Sequence, residues 1–386
     1  MGELIRLVIA FLSRSALRLC LPFLPIKTDR VLFQSYREKK YACNPRYICE
    51  KLLELRPEGI EVAWSFREPE KYAFLKDKEI RVLRAGSWEA VKYALTAKVV
   101  CVNTYYKPTL PRRKSQVQIR TWHGGGAYKK VAGQEKMTFL KRMSVKYQLS
   151  GATLYLSSSR AFTEQTIRDS FGFAGEVLEI GMPRNDVLIN GVSGEELRNI
   201  RKTIGLGDGV RLALYAPTYR DDLAVDEFGL DADLLKNALS ERFGGSWLIA
   251  YRGHVFVTGK PENLTDFSAF DDMQPLLLAA DALITDYSSS MWDMSLTGKP
   301  VFLYCPDLDR YDRGRGFYTS PESWPYPLAK DNEGLKRNIL AFDETDYAQK
   351  IKAHHEALGC CETGRASELA AQRILSEIKA AGDNKK

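Results

Sequence analysis

Two series of short, continuous apolar segments constrain the fold of this 386-residue chain more than any other feature. Strands with one face in water alternate apolar and polar residues, whereas many of these segments are continuous apolar runs. That pattern is typical of strands buried on both faces of a parallel sheet. Stretches of helical length separate the segments, which predicts βαβ units. The segments are 31–35, 62–66, 99–104, 118–124, 154–159 and 177–181 in the first series, and 212–220, 247–254, 282–289 and 301–307 in the second.

A connecting stretch, residues 185–210, separates the two series. It contains a Gly- and Asn-rich turn, a charged helical segment and a second Gly-rich turn, a composition typical of a link between domains. We therefore predict two doubly wound, Rossmann-like α/β domains, residues 27–195 and residues 196–386. Residues 1–26 precede them as a separate segment.

The first segment, residues 1–26, is amphipathic. Its apolar residues are interrupted by Arg6, Arg14 and Arg18, so no run approaches the roughly 20 residues that a spanning helix requires. The small-residue cleavage site of a signal peptide is also missing, so none is predicted. On a helix the three arginines fall within one sector, which predicts an interfacial helix lying on an anionic membrane surface with its arginines at the headgroups. Packing of this helix on the body of the protein is the alternative.

Charge and cysteine content narrow the class of partner. Lys and Arg number 56 against 49 Asp and Glu, a net charge of +7 that suits an anionic ligand or membrane surface. The excess is smaller than that of a dedicated nucleic-acid binder, so no nucleic-acid partner is expected. The seven cysteines are scattered, without a C-x-x-C pair, and are predicted to be reduced thiols of a cytosolic protein.

Histidines follow two of the predicted strands, at the sheet edge where open α/β sheets bind ligands. His123 lies in TWHGGGAYKK and His254 in YRGHVFV. An imidazole at a strand end can exchange protons near neutral pH, and two such histidines in two domains form a stronger signal than one. His354 and His355, in a polar helical context, are predicted to lie on a solvent-exposed face.

A serine-rich helix start follows the strand that ends near Asp286. Hydroxyls beside free backbone N–H groups at the positive end of a helix dipole bind phosphate, which makes Ser288 and Ser289 candidates. An ordinary helix cap, with Ser290 and Asp293 forming a capping box, is the alternative.

Two arginines extend this predicted anion site. Arg220 ends the segment APTYR, and Arg315 lies in the glycine-flanked loop RGRGFY. Arginine is suited to bidentate phosphate recognition. Neither a Walker A loop nor a G-x-G-x-x-G motif is present, and no acidic pair has metal-ligand spacing. The residues therefore favour transfer from a nucleoside-diphosphate donor without a metal.

In its ordered motifs the chain resembles the CDP-glycerol glycerophosphotransferase family of wall teichoic acid synthesis. The resemblance extends from about residue 31 to residue 327 and includes Asn44-Pro45 in the early segment QSYREKKYACNPRYI. Its specificity comes from the order of the motifs, which are TWHGG, LSSSRAF, GMPRND, LYAPTYR, RGH, LITDYSSSMWD, GKPVFLY and DRGRGFY.

This resemblance implies a GT-B fold, with both domains facing a central cleft, and a peripheral location on the cytoplasmic face of the cell membrane, on its anionic inner leaflet. It implies transfer of glycerol phosphate from CDP-glycerol to the N-acetylmannosamine of an undecaprenyl-diphosphate-linked disaccharide, releasing CMP, with no cofactor and no metal. The short chain favours a priming enzyme over a polymerase. A poly(glycerol phosphate) polymerase, a ribitol-phosphate or capsule transferase, and a UDP-sugar glycosyltransferase are the alternatives, and a non-catalytic scaffold is the least favoured.

By resemblance, His123 is the catalytic base, with His254 and Asp186 as further catalytic residues. The chain departs from the family pattern where Gly125-Gly126 replace a Thr-Pro pair and where Val255 replaces a proline. The predicted donor-binding residues are Pro217, Thr218, Arg220, His254, Asp286, Ser288, Ser289, Arg315 and Gly316, and the predicted acceptor-binding residues are Gly124, Lys129 and Lys130.

Overall fold

A computed structural model describes residues 2–55, 59–131, 138–218, 229–253 and 263–383. Two of the predicted site residues, Arg220 and His254, lie outside these ranges.

The chain divides into two compact units. The chain passes from the first unit to the second after Asp186, near the predicted boundary at residue 195, but three segments differ from the predicted division. Residues 1–26, predicted as a separate segment, belong to the first unit. Gly124–Lys130, predicted in the first domain, belongs to the second unit, and Cys361–Lys386, predicted in the second domain, belongs to the first. The first unit comprises Met1–His123, Val131–Asp186 and Cys361–Lys386, and the second comprises Gly124–Lys130 and Val187–Cys360.

A seven-stranded sheet forms the centre of the first unit. Its strands are β1 (Lys27–Gln34), β2 (Glu61–Phe66), β3 (Arg81–Arg84), β4 (Ala97–Val102), β5 (Val117–Arg120), β6 (Leu154–Leu156) and β7 (Glu176–Leu178). All neighbours pair in parallel, in the order β3-β2-β1-β4-β5-β6-β7. The direction of winding reverses between β1 and β4, and such a reversal is where doubly wound sheets open a ligand crevice.

A six-stranded parallel sheet forms the centre of the second unit. Its strands are β8 (Val210–Tyr215), β9 (Ser246–Tyr251), β10 (Thr265–Asp266), β11 (Ala282–Thr285), β12 (Val301–Tyr304) and β13 (Leu328–Ala329). The order is β10-β9-β8-β11-β12-β13, so the reversal lies between β8 and β11. The two parallel sheets confirm the predicted α/β class, while the GT-B arrangement stays a prediction.

Helices connect the strands of both sheets. Side-chain oxygens of Ser, Thr or Asp start six of them by accepting the backbone N–H three residues further on, at Ser87, Thr138, Ser193, Asp231, Asp331 and Asp343. The α-helices are α1 (Gly2–Cys20), α2 (Cys43–Leu55), α3 (Trp88–Thr96), α4 (Phe139–Leu149), α5 (Asp186–Asn190), α6 (Gly194–Thr203), α7 (Ala232–Phe243), α8 (Gln274–Ala279), α9 (Ser290–Ser295), α10 (Leu308–Gly314), α11 (Asn332–Leu340), α12 (Glu344–Leu358) and α13 (Ala366–Asp383). A π-helical segment covers Phe162–Ser170, and 3₁₀ segments cover Leu21–Phe23, Pro69–Lys78, Pro183–Asn185 and Pro321–Ser323.

Both faces of the first sheet are buried, which explains its continuous apolar strands. Val31 and Phe33 of β1 pack in one core with residues of α2 and α13, whereas Leu32 between them packs in a second core with α3. Successive side chains of a strand point to opposite faces, so both positions must be apolar. Ile374 of α13 contributes to the first of these cores, which is why the end of the chain belongs to the first unit.

Three strands, β3, β10 and β13, were not predicted from the sequence. Each lies at an edge of its sheet, where a strand has a neighbour on one side only. Both residues of β10 are exposed, and β3 has one buried residue in four. The apolar runs that identify central strands are therefore missing at these edges.

Candidate active site

The carboxyl end of β5 carries the predicted catalytic histidine. The strand ends at Arg120, and His123 follows three residues later. Between them Trp122 has φ +54°, a left-handed conformation that bulky residues rarely adopt. Such strain persists only where surrounding contacts hold the backbone, and it is frequent at active sites. Contacts with the surrounding residues therefore hold the turn that leads into His123 in this conformation.

The imidazole of His123 has a defined tautomer. Its Nδ1 lies 2.9 Å from the backbone carbonyl oxygen of Asn103, which follows β4. Because a carbonyl oxygen only accepts hydrogen bonds, Nδ1 carries the hydrogen and Nε2 of the neutral ring keeps its lone pair. The ring stacks on Trp122 at a centroid distance of 4.5 Å, and the ring of Tyr36 lies 5.8 Å away. An oriented imidazole with an unprotonated Nε2 can accept a proton from a substrate.

Asn44 connects the turn before His123 to the segment that follows β7. Its side-chain amide donates to the carbonyl oxygen of Trp122 at 3.2 Å, and its Oδ1 accepts the backbone N–H of Arg184 at 3.1 Å. Asn44 is completely buried, so water does not compete for these bonds. Asn44 lies in a motif of the family resemblance, but no role was predicted for it. Its partners lie 78 and 140 residues further along the chain, where a local sequence pattern does not reveal them.

Asp186, predicted to be catalytic, holds the start of a helix. One carboxylate oxygen accepts the N–H of Ala366 at 3.0 Å, and the other accepts the N–H of Ser367 at 2.7 Å, at the start of α13. Burial raises the pKa of Asp186, and the hydrogen bonds from these backbone groups oppose that rise. A catalytic role for Asp186 in addition to this helix contact stays a prediction.

In the second unit, hydrogen bonds join the ends of β8 and β11, where the strand order reverses. The buried carboxylate of Asp286, directly after β11, accepts the N–H of Thr218 at 2.9 Å on both oxygens and the Thr218 hydroxyl at 2.6 Å. Pro217 lies on the same segment after β8. The structure thus brings three predicted donor-site residues together at the position where sheets of this type bind ligands.

The serines that follow Asp286 form a small network at the start of α9. The hydroxyl oxygen of Ser288 accepts the N–H of Ser290 at 3.3 Å and the hydroxyl of Ser290 at 3.0 Å. The predicted alternative, a capping box of Ser290 and Asp293, is wrong. The N-cap residue is Ser289, whose side chain makes no capping hydrogen bond, and Ser290 is the first residue of the helix. Ser288 and Ser289 are half-buried, so a ligand could still reach their hydroxyls.

Gly124–Lys130 pairs with the loop that contains Arg315 and Gly316. The N–H of Lys130 donates to the carbonyl oxygen of Gly316 at 3.1 Å, and Lys129 forms an antiparallel bridge with the residue after Gly316. A Cβ added to Gly316 would lie 3.4 Å from Cδ of Lys130, so the lysine side chain lies along this glycine. Lys129 and Lys130, predicted to contact the acceptor from the first domain, therefore lie in the second unit beside the predicted donor loop.

His354 and His355 were predicted to be solvent-exposed, and that prediction is wrong. Nε2 of His354 lies 3.0 Å from the hydroxyl of Tyr128, which lies 3.1 Å from the hydroxyl of Tyr326. Nε2 of His355 lies 2.8 Å from the hydroxyl of Ser295. Burial lowers the pKa of both histidines, that of His354 to about 4 with a further contribution from His355. This face of α12 is covered by residues that are distant in the sequence.

Comparison with known families matches residues 16–376 to a family described as CDP-Glycerol:Poly(glycerophosphate) glycerophosphotransferase. The chain is 31% identical over 376 residues to a teichoic acid poly(glycerol phosphate) polymerase of Staphylococcus epidermidis, covering 92% of this chain but only 51% of that protein. It is 30% identical over 377 residues to a polymerase of the same name from Bacillus spizizenii, covering 91% of this chain and 93% of that protein. The chain thus spans about half the length of the first relative and most of the second.

A solved structure of the wall teichoic acid polymerase TagF, a histidine variant soaked with CDPG, is similar over 98% of both chains. The TM-score is 0.81 and the sequence identity is 28%. The family match covers most of the chain and includes the strand-end histidine and the serine-rich segment described above. The predicted resemblance and the predicted transferase class are confirmed. The chain belongs to the CDP-glycerol:poly(glycerophosphate) glycerophosphotransferase family.

Proposed function

We propose that this chain transfers glycerol phosphate from CDP-glycerol to a lipid-linked acceptor of teichoic acid synthesis and releases CMP. The tautomer of His123 carries the proposal, because the Asn103 carbonyl holds the Nδ1 hydrogen and leaves Nε2 to accept a proton. The family supports the reaction class. The TagF variant soaked with CDPG, which we take to be CDP-glycerol, supports the donor.

In the proposed step, the acceptor hydroxyl oxygen forms a bond to the β-phosphorus of CDP-glycerol. The bond from that phosphorus to the oxygen of CMP breaks, and its electron pair leaves with CMP. The proton of the attacking hydroxyl passes to Nε2 of His123. A positioned general base of this kind typically contributes a factor of about 100 to 10,000 in rate.

The second unit supplies the groups that stabilise the negative charge on CMP. The hydroxyls of Ser288 and Ser289 and the side chain of Arg315 were predicted for this role, and we add Lys130 because it lies along Gly316 in the same loop. Arg220 and His254, predicted for the same role, lie outside the described residues. Because cationic and hydroxyl groups suffice to stabilise a phosphate leaving group, we propose that the reaction requires no metal.

Release of CMP tests the proposal. CDP-glycerol is supplied with two soluble lipid-diphosphate acceptors, one ending in N-acetylmannosamine and one already carrying glycerol phosphate. We expect turnover by the wild-type protein and turnover slower by roughly 100-fold or more in His123→Ala, with CDP-glycerol binding unchanged by calorimetry. Near-normal turnover in His123→Ala would refute the base assignment. Absence of CMP release by the wild type with both acceptors would refute the proposed transfer, and turnover of CDP-ribitol or UDP-sugars instead would identify the alternative.

The number of transfers distinguishes priming from chain extension. The length of the chain was the basis for predicting a priming enzyme, which acts on the N-acetylmannosamine of an undecaprenyl-diphosphate disaccharide. The Bacillus spizizenii polymerase, however, is matched over 93% of its length, so chain length does not separate the two activities. The mass of the product decides between them, since one added glycerol phosphate indicates priming and a ladder of additions indicates extension.

Helix α1 packs on the body of the first unit, as one of the two predicted alternatives has it. Arg14 donates to the carbonyl oxygen of Pro108 at 2.6 Å and stacks over the ring of Tyr147, so the helix packs on the body of the first unit. Ala10 is buried there. Arg14 is therefore not available to lipid headgroups, contrary to the prediction for this residue. None of the helices in the described ranges has the length and apolar character that crossing a bilayer requires.

We propose that the outer side of α1 binds the anionic inner leaflet of the cell membrane and places the protein at its cytoplasmic face. Large apolar side chains on α1 are about half exposed, a cluster that is uncommon on a surface facing only water. Arg6 and Arg18 remain exposed for contact with headgroups. The exposed large apolar residues of α1 are Leu4, Ile5, Val8, Ile9, Phe11, Leu12 and Leu19.

Flotation with phosphatidylglycerol vesicles tests this membrane contact. The variant with Phe11→Asp and Leu12→Asp is expected to remain in solution, whereas the wild type floats. Leu55→Asp, which changes an exposed leucine at the end of α2, is the matched control and is expected to float. Equal flotation of all three proteins would refute the contact.

A further inference from the structure

A second group of polar residues lies beside His123, where the strand order of the first sheet reverses between β1 and β4. The loop after β1 and the loop after β4 meet here, and the N–H of Tyr36 donates to Oδ1 of Asn103 at 2.8 Å. The backbone carbonyl of the same Asn103 accepts from His123 at 2.9 Å. One asparagine therefore holds both the candidate base and the loop after β1. A crevice at such a reversal is where doubly wound sheets bind ligands.

The loop after β1 is strained. Tyr36, Arg37 and Glu38 have φ values of 45°, 56° and 67°, three successive left-handed residues without a glycine. Each residue is less stable in this conformation than in an ordinary one. Strain of this kind persists where contacts hold the backbone, and it concentrates at binding and catalytic sites.

A buried carboxylate holds this strained loop in place. Glu38 is 5% exposed and accepts hydrogen bonds from Ser65 and from Gln34, the latter at 3.0 Å. Its second oxygen pairs with Lys107 at 2.6 Å. The acidic side chain of the loop is thus turned inward and paired, while Arg37 next to it is exposed.

Three cations lie close together at the ends of β1 and β2. Arg67, directly after β2, donates from its backbone to the carbonyl oxygen of Glu38 at 2.8 Å and from Nε to the carbonyl oxygen of Arg37 at 3.1 Å. Burial lowers the pKa of Lys39, and repulsion from Arg67 and Arg37 lowers it further. The two hydrogen bonds from Arg67 join the end of β2 to the loop that carries Arg37 and Lys39, and a bound anion would relieve the repulsion among these three charges. We name Arg37, Lys39 and Arg67 the switch-point cluster.

We propose that the switch-point cluster binds the phosphodiester of an acceptor that already carries glycerol phosphate. This inference rests on the proposed function. In such an acceptor, one glycerol unit separates the terminal hydroxyl from the nearest phosphate. This short separation fits a cationic cluster on the loop whose Tyr36 ring lies 5.8 Å from the ring of the candidate base. In an unprimed acceptor, two sugars separate the reacting hydroxyl from the lipid diphosphate. The cluster therefore selects primed acceptors and supports chain extension.

Steady-state kinetics with the two acceptors tests the assignment. Arg37→Gln and Arg67→Gln remove one charge each, and Arg81→Gln is the matched control because it removes an exposed arginine at the opposite end of the same sheet. We expect KM for the primed acceptor to rise about tenfold in each cluster variant, the usual effect of losing one charge-assisted hydrogen bond. KM for CDP-glycerol and KM for the unprimed acceptor are expected to stay within about twofold. Arg67→Lys, which keeps the charge, is expected to retain most of the affinity.

Calorimetry with the primed acceptor alone measures its affinity for the protein in the absence of turnover. Binding to the wild type and weaker binding to Arg67→Gln support the proposal even if CDP-glycerol proves to be the wrong donor, so the two inferences fail separately. An equal rise of KM for both acceptors would assign the cluster to the lipid diphosphate and overturn the proposal. A rise of KM for CDP-glycerol, or unchanged binding in both arginine variants, would overturn it as well. Thermal melting of each variant establishes that it is folded.

Discussion

Replacement of Asn44 by alanine should separate the positioning of His123 from its chemistry. The side chain makes its hydrogen bonds to the carbonyl of Trp122 and the N–H of Arg184 in a completely buried position. In Asn44→Ala both backbone groups lose this partner. The Trp122 carbonyl still accepts the hydroxyl of Thr121 at 3.0 Å, so the cost falls on the buried N–H of Arg184. An unsatisfied buried group costs about 1–3 kcal/mol, and we expect a loss of that size in the free energy of unfolding.

Two measurements report this change. For a domain of this size each kcal/mol shifts Tm by about 2–4 °C, so Tm should fall by about 5 °C. The turn that carries Trp122 is strained and depends on its contacts, so the ring of His123 should shift when Asn44 is lost. Because misplacement of a catalytic group by about 1 Å can cost 100-fold, we expect kcat, measured well below Tm, to fall by about 10- to 100-fold while CDP-glycerol binding is retained.

Asn338→Ala provides the comparison. Its amide donates to the carbonyl oxygen of Leu328 at 3.0 Å in the second unit, and Asn338 is half-buried. This variant should lose less stability and keep its kcat. If Asn44→Ala melts early but turns over at the wild-type rate, the argument that Asn44 positions His123 is refuted. If its Tm is unchanged, the cost assigned to the buried N–H of Arg184 is refuted.

Three further predictions concern stability and metal dependence. The unfolded chain takes up a proton at His354 as the pH falls below 6.5, whereas the folded protein takes it up only near pH 4. Up to about 3 kcal/mol of stability should therefore be lost over this pH range. His354→Phe should flatten the dependence of Tm on pH, and an unaltered slope would contradict the assignment. A Cβ at Gly125 would lie 2.6 Å from the ring of the buried Trp292, so Gly125→Ala should destabilise the protein by about 1–3 kcal/mol. In melting experiments, the double variant Gly125→Ala with Trp292→Phe should recover part of that loss. Treatment with EDTA should leave CMP release unchanged, and restoration of a lost activity by a divalent cation would show that the reaction needs a metal.

The central strands could be predicted from the sequence because their signal is local. The ten predicted segments correspond to ten of the thirteen strands in the part of the chain that the structure describes. The three that were missed, β3, β10 and β13, lie at sheet edges. Central strands of a parallel sheet are buried on both faces and must be apolar throughout, whereas an edge strand is free of that requirement.

The candidate site could likewise be predicted only where its signal is local in the sequence. His123 follows a buried strand, and the position of ligands at the carboxyl ends of parallel strands is a property of the fold class. Asp286 and Thr218 follow adjacent strands and do meet. The role of Asn44 was not predictable, because a buried asparagine shows its function only through the backbone groups that it joins.

Local sequence patterns were enough to predict the α/β class, the strands of the two sheet centres, the family and the strand-end histidine. These follow from runs and motifs that are continuous along the chain. Three-dimensional contacts, in contrast, place Gly124–Lys130 in the second unit and α13 in the first, and they cover His354 with Tyr128. Each of these depends on the free energy of contacts between residues that are distant in the sequence, and a local pattern of side chains does not contain that information.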